Sequence, residues 1–484
     1  MNYLSKSILE IHQAIVEGKI TPFELVQESI NLAKKDNNNA FEYICEKEAL
    51  EKVKNLDEKN KNNLLYGIPV VLKDNLSTKD IPTTASSNIL EGYVPVFSCE
   101  IALRLEEQGA IIIGKTTLDE FGMGGTGTAG HKGATYNPWD KTHTRQIGGS
   151  SCGSAAAISA GIVPLAIGSD TGDSVRKPAS YAGLVGLKPT WGRISRFGLF
   201  PFATSLDHIA YFTRNVLDSA ITLNALAGHD DKDFSSSKTK VEDYTKGIDK
   251  PISNLRIAVI KEITGSLKNK DVIESFNKSI AGLKELGAKV DYVSVDKKIL
   301  SAIYPTYIII SSAEATSNTA VYDGVKFGKR IEGKTYEETV MNSRSEGFSQ
   351  FIKRRLVIGS FSMLKENTNE LFIRAQRCRR IIIDTFNDIL DDYDAIYCPA
   401  ASDIAPLLEN SSISQNSDLC VADNYMAFAN MGGLPSITIP LGFINNMPYG
   451  ANLTSKPFTE SKLLNIAYNL ENIISLKDLV APKE

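Results

Sequence analysis

Two short apolar runs, Ile68 to Leu72 and Ala110 to Ile113, constrain this fold most, with a helical stretch from about Cys99 to Gln108 ahead of the second. A strand buried on both faces reads as a continuous apolar run, whereas a half-exposed strand alternates. Such runs interleaved with helices argue for an α/β chain: a mixed or parallel central β-sheet with helices covering both faces. Arg256 to Ile260, a helix near Val272 to Leu286, and Lys289 to Val295 repeat the pattern. Between the two units, about 229–250 is rich in Asp, Ser and Lys and reads as an exposed loop. The N-terminus reads as helical. Ser5 to Glu17 places Ile8, Ile11, Ile15 and Val16 at helical spacing, and Thr21, Pro22 and Glu24 form a capping box that opens a second helix to about Lys34.

The first apolar run ends on a lysine. Lys73 follows Ile68, Pro69, Val70, Val71 and Leu72, so its amine lies at the end of a buried strand, where desolvation lowers a lysine pKa toward that of a usable base. Two glycine-rich segments supply hydroxyls, RQIGGSSCGSAAAISAG with Ser150 and GSDTGDSVRKPAS with Ser174. An unaided serine hydroxyl is a poor nucleophile, so Ser174 needs a base, and Ser150 can pass its proton to a neutral lysine. Of the five histidines only His143 is near a candidate serine in sequence, and this relay needs none. Gly172, two residues before Ser174, belongs to a turn that exposes N–H groups able to hold an oxyanion. Taken singly, each element has a plainer meaning: GGSS as a flexible turn, the lysine as a solvated charge.

Taken together, Lys73, Ser150 and Ser174, with a spacing of 24 between the serines, resemble the amidase signature family, whose centre is a Ser-cisSer-Lys triad. The resemblance implies that Ser174 is the nucleophile, Ser150 the bridging serine in a cis peptide and Lys73 the base. Ser151 is implied as an accessory hydrogen-bond partner, with the backbone N–H groups of Thr171, Gly172, Asp173 and Ser174 as the oxyanion hole. Within the family the chain is similar to the glutaminase subunits of tRNA-dependent amidotransferases. AEATSNTAVYDGVKFG, RSEGFSQFIKRRLVIG and MGGLPSITIPLGF carry that narrower likeness. It implies an enzyme that hydrolyses glutamine and supplies ammonia for converting Glu-tRNA(Gln) or Asp-tRNA(Asn) to the amidated product. Arg354 or Arg355 would hold the α-carboxylate, Asp423 the α-ammonium, and Tyr307 a further hydroxyl contact. It also implies no cofactor in this chain, with ATP and Mg²⁺ bound by a larger tRNA-binding partner and a small third protein completing a heterotrimer. The N-terminal helices, about 5–34, are then part of a single amidase domain over 1–484 whose signature core spans about 65–225. The alternative readings are a stand-alone amidase for small amides and a structural protein of the same assembly with impaired catalysis.

Two segments depart from the pattern. The resembling subunits read TGGS where this chain has Thr171, Gly172, Asp173 and Ser174. A carboxylate facing a developing oxyanion opposes it, although aspartate tolerates a left-handed backbone better than most residues. The loop from Gly124 to Gly130, GGTGTAG, replaces a serine-rich segment.

A net charge of −4 gives no general nucleic-acid footprint, so any tRNA is held mainly by another chain. Six scattered cysteines without a CxxC pair point away from a zinc site or disulfide framework and toward a reducing compartment. The first twenty residues lack the continuous apolar core of a signal peptide, and no stretch approaches a membrane span, so a cytoplasmic location is expected. Two motif matches mislead. Gly109 to Thr116 fits the Walker A pattern, yet its middle is an apolar β run; Gly125, Gly127 and Gly130 fit GxGxxG, but Asn137 and Pro138 interrupt any following helix.

Overall fold

The computed structural model describes residues 2–409 and 421–482. Eleven strands form one sheet: β1 (Phe41–Ile44), β2 (Pro69–Lys73), β3 (Ile111–Thr116), β4 (Leu165–Asp170), β5 (Val185–Lys188), β6 (His208–Thr213), β7 (Arg256–Ile260), β8 (Lys289–Val293), β9 (Ala395–Pro399), β10 (Ser436–Ile444) and β11 (Met447–Thr454). Their order is β1-β3-β2-β4-β6-β5-β10-β11-β9-β7-β8. The β2–β3, β2–β4, β7–β8 and β7–β9 pairs are parallel and the others antiparallel, so the sheet is mixed.

The apolar runs are buried on both faces because successive side chains point to opposite sides. Val70, Leu72, Leu165 and Ile167 enter one apolar cluster, while Val71, Ala166, Ile111 and Ile113 enter the other. Helix Glu100–Glu107 lays Ile101, Ala102 and Leu105 on the first face, and helix Cys152–Ser159 covers the second. Burying each Val, Leu or Ile contributes about 1.5–3 kcal/mol. The N-terminal helices divide between the clusters. Ile8, Ile11 and Ile15 of Ile8–Val16 pack on the first, Val26, Ile30 and Ala33 of Pro22–Lys34 on the second. Both helices start with a complete capping box, Ser7 with Glu10 and Thr21 with Glu24.

The polar stretch about 229–250 is largely exposed, but Tyr244 and Ile248 are buried, and Arg193 holds the carbonyls of Thr239 and Lys240 at 2.8 and 3.0 Å. It is an anchored loop because its few apolar residues reach the core. Gly114, within the Walker-like run, lies in β3 against the Phe41 ring. No helix among the described residues is long and apolar enough to cross a membrane. Five cysteines are free thiols, and Cys420 lies outside the described residues.

Candidate active site

Lys73 is the last residue of β2 and is wholly buried. Its Nζ lies 2.8 Å from Ser150 Oγ, 2.9 Å from Ser151 Oγ, 2.9 Å from Ser169 Oγ and 3.3 Å from the Ser169 carbonyl. No carboxylate forms an ion pair with it among the described residues, whereas the equally buried Lys115 has Asp74 at 3.1 Å. Burial without a counter-ion pushes the Lys73 ammonium down to about 8, against the weaker opposing pull of Cys152, Asp119, Asp170 and Asp207. A neutral amine has a lone pair free for one hydroxyl proton while its N–H groups satisfy the other acceptors. No histidine bonds these serines among the described residues; His143 stacks on Tyr136, ring centroids 4.5 Å apart.

Ser150 and Ser151 precede helix Cys152–Ser159, and the Gly149–Ser150 peptide bond is cis. That corner is packed from below by Asp119. The Asp119 N–H donates to the Ser150 carbonyl at 3.1 Å, and its carboxylate accepts from the N–H groups of Gly127 and Ala129 at 3.1 and 2.9 Å. A Cβ on Gly149 would lie 2.0 Å from Asp119 Oδ2, so only glycine fits there. The Gly149 N–H in turn donates to the Gly125 carbonyl at 2.9 Å. The Gly124 to Gly130 loop therefore wraps a carboxylate and braces the serine corner, with glycines where backbones meet.

Ser174 lies in the turn between β4 and helix Arg176–Ala182, and its carbonyl accepts from the Ser151 N–H at 3.1 Å. Its hydroxyl makes no hydrogen bond among the described residues, and the N–H groups of Gly172, Asp173 and Ser174 likewise have no acceptor there. Neighbouring donors without acceptors are available to a developing negative charge. A buried ion pair shapes this turn. Asp170 accepts from Arg176 Nε and Nη2 at 3.2 and 2.9 Å and from the Val175 N–H at 3.0 Å; Arg176 Nη2 also reaches the Gly172 carbonyl at 2.7 Å. Asn430 completes it, donating to Asp170 Oδ1 at 2.9 Å and accepting from Arg176 at 2.6 Å. Desolvation raises the Asp170 carboxyl, but the Arg176 charge together with the hydrogen bonds from Arg176, the Val175 N–H and Asn430 holds it well below the usual range. Thr171 is fixed through its hydroxyl, 2.7 Å from Asp207 Oδ1.

The remaining sequence candidates gather around this turn, with one exception. The Tyr307 ring packs on Gly172, 3.0 Å from where a Cβ would sit, and Arg355 lies 5.8 Å from that ring's centroid and 3.3 Å from Ser312 Oγ. Arg354 points into solvent, since adjacent helical residues diverge by about 100°. Of the two arginines, Arg355 is the one that lies beside the turn. Asp423 accepts from the Ser402 N–H and hydroxyl at 2.9 and 2.6 Å and lies 3.7 Å from Lys177 Nζ. Asp173 is half-buried, with no positive φ, so left-handed tolerance is not what admits aspartate here. Its carboxyl is pushed up to about 6 by desolvation, partly countered by Lys177.

Sequence reasoning missed Ser169, Asn75 and the Asp170–Arg176 pair. Asn75 Nδ2 donates to Ser169 Oγ at 3.0 Å, so Ser169 carries a fixed hydroxyl at the lysine. The one signal in the sequence is a polar SD ending the run LAIG, with an arginine six residues beyond the aspartate.

A family model described as Amidase matches residues 24–464. The chain is 40% identical over 468 residues to the A subunit of the glutamyl-tRNA(Gln) amidotransferase of Pediococcus pentosaceus, covering 96% of this chain and 95% of that one. The same protein of Macrococcus caseolyticus is 39% identical, with 99% of each chain covered. Among solved structures, that of the glutamyl-tRNA(Gln) amidotransferase A subunit from Thermotoga maritima superposes with a TM-score of 0.71 at 34% identity, covering 92% and 94% of the two chains.

Proposed function

The chain belongs to the amidase family, and from that premise we propose that it is the glutaminase of a tRNA-dependent amidotransferase. The observation that carries the chemistry is the Lys73 amine, buried without a carboxylate partner among the described residues and ringed by the hydroxyls of Ser150, Ser151 and Ser169. Likeness to amidotransferase A subunits at 34–40% identity over nearly the whole chain supports the substrate.

In the proposed mechanism neutral Lys73 accepts the Ser150 proton as Ser150 takes that of Ser174. Ser174 Oγ bonds to the carboxamide carbon of glutamine, and the oxyanion is held by the N–H groups of Gly172, Asp173 and Ser174. Collapse of the tetrahedral species breaks the C–N bond, with the relay protonating departing ammonia. Water then attacks the glutamyl ester, transferring its proton back through the relay, and glutamate leaves. The ammonia passes to the tRNA-binding partner, where ATP and Mg²⁺ belong, and the small third protein joins the two. No group of three or more candidate metal ligands occurs among the described residues.

Glutaminase activity of the chain alone and together with both partners tests this reading. Hydrolysis raised by the partners is expected. Full activity without them would favour a stand-alone amidase, and none in either state a structural role with catalysis impaired by Asp173.

The pH profile follows from the lysine. Because the reactive form is the deprotonated amine, kcat/KM for glutamine should rise about tenfold per unit below the Lys73 value and level off above it. With that value at about 8, the slope should be visible from neutral pH upward. A profile flat across this range would remove Lys73 as the base.

A further inference from the structure

We infer that Asp173, directly before the nucleophile, is a specificity-determining carboxylate that joins Asp423 in receiving the substrate's α-ammonium. The inference rests on the glutaminase reading above and deepens it. Asp173 makes no ion pair and its carboxylate makes no side-chain hydrogen bond among the described residues, although it stands between charged neighbours. Those neighbours are committed elsewhere. Arg176 is bound to Asp170, and the Lys177 ammonium donates to the Ala400 carbonyl at 2.9 Å and lies 3.7 Å from Asp423. With Asp170 and Arg176 paired to each other, the two carboxylates Asp173 and Asp423 have the single ammonium of Lys177 as their nearest cation.

The other side of the turn has the opposite sign. Arg355 forms no ion pair among the described residues and lies over the Tyr307 ring, which packs on Gly172. A cation and a pair of carboxylates flanking one nucleophile match a zwitterion, the amino-acid end of glutamine. This arrangement also accounts for a carboxylate next to an oxyanion hole. With a neutral amide substrate its charge opposes the oxyanion, whereas a substrate bringing its own ammonium neutralises it. Asp173 thus favours amino-acid amides twice, by binding them and by penalising the rest.

The test uses the chain assembled with its partners and two substrates, glutamine and glutaramate, the same amide without the α-amino group. Asp173→Asn should lower the ratio of kcat/KM for glutamine over glutaramate by about tenfold, chiefly through a higher KM for glutamine. Lys177→Gln removes the competing cation and should raise the same ratio. Far-UV circular dichroism confirms that each variant folds. A ratio unmoved in Asp173→Asn, or an equal loss on both substrates through kcat, would overturn the role of Asp173. A wild-type complex that hydrolyses glutaramate and no glutamine would instead remove the glutamine reading itself.

Discussion

Ser174→Ala should reduce glutamine-dependent amidation of the charged tRNA by a factor on the order of 10⁴–10⁶, while amidation from added ammonium salt proceeds near the wild-type rate. The size of the first effect follows from what the hydroxyl does. It is the only serine hydroxyl of the centre outside the hydrogen-bonded set at Lys73, and it adjoins the free N–H groups of Gly172, Asp173 and Ser174. Without it no ester forms. Alanine removes one oxygen and leaves the Asp170–Arg176 brace and the Ser151 to Ser174 backbone bond in place, so the chain keeps its shape and its partners. Sparing of the ammonia-driven reaction follows if hydrolysis and transfer occur in separate chains joined by diffusing ammonia. Loss of both activities would refute that division, and retention of glutamine-driven transfer would take Ser174 out of the nucleophile's place. Ser150→Ala and Lys73→Met are controls in which the nucleophile stays but its proton has nowhere to go.

How far the sequence discloses this centre depends on how local each signal is. β2 and β3 are readable because strands buried on both faces must be apolar throughout, and Lys73 stands out as the charge that ends such a run. The first N-terminal helix is readable because Ile8, Ile11 and Ile15 recur at helical spacing, and the second because its capping box, Thr21 with Glu24, is completed within four residues. β4 is harder, since LAIGSD mixes glycine and serine into a strand whose burial comes from β2 and β6 beside it. Ser169 goes unseen for the same reason: its partners Lys73 and Asn75 are more than ninety residues away. Arg354 and Arg355 are inseparable in sequence because their helix carries apolar residues on its open side too, Val357 and Phe361 being 67% and 56% exposed. Helical phase then has no apolar stripe to read. Ile352 and Gly359 are buried, three residues before Arg355 and four after it, and that packing turns Arg355 inward. Asp173 is visible in sequence as a departure, but its physical meaning comes from Lys177 being engaged elsewhere.

Arg176→Met is the second substitution with a large expected effect, and it separates the brace of the turn from the chemistry in it. Asp170 and Arg176 are both fully buried, and the guanidinium makes contacts to Asp170, the carbonyls of Gly172 and Met426, and Asn430. Removing one partner of a buried pair leaves an uncompensated charge, a loss of about 3–5 kcal/mol in stability. It also frees the Gly172 carbonyl, so the N–H groups for the oxyanion lose their alignment and glutaminase activity should fall together with the melting temperature. The pH dependence has a definite sign. In the wild-type chain Asp170 titrates below its unfolded value, so the stability it contributes is present above roughly pH 4 and lost on further acidification. In the variant the unpaired carboxyl titrates above the unfolded value, and protonation on acidification relieves its burial. The gap in melting temperature between the two proteins should therefore narrow as pH falls from about 7 toward about 5. Adding Asp170→Asn to Arg176→Met should recover part of the lost stability near neutral pH, because the stranded charge is gone, but not the activity, because the carbonyl of Gly172 remains unheld. A double variant no more stable than Arg176→Met would mean that lost contacts to Gly172, Met426 and Asn430, and not the stranded carboxylate, set the cost.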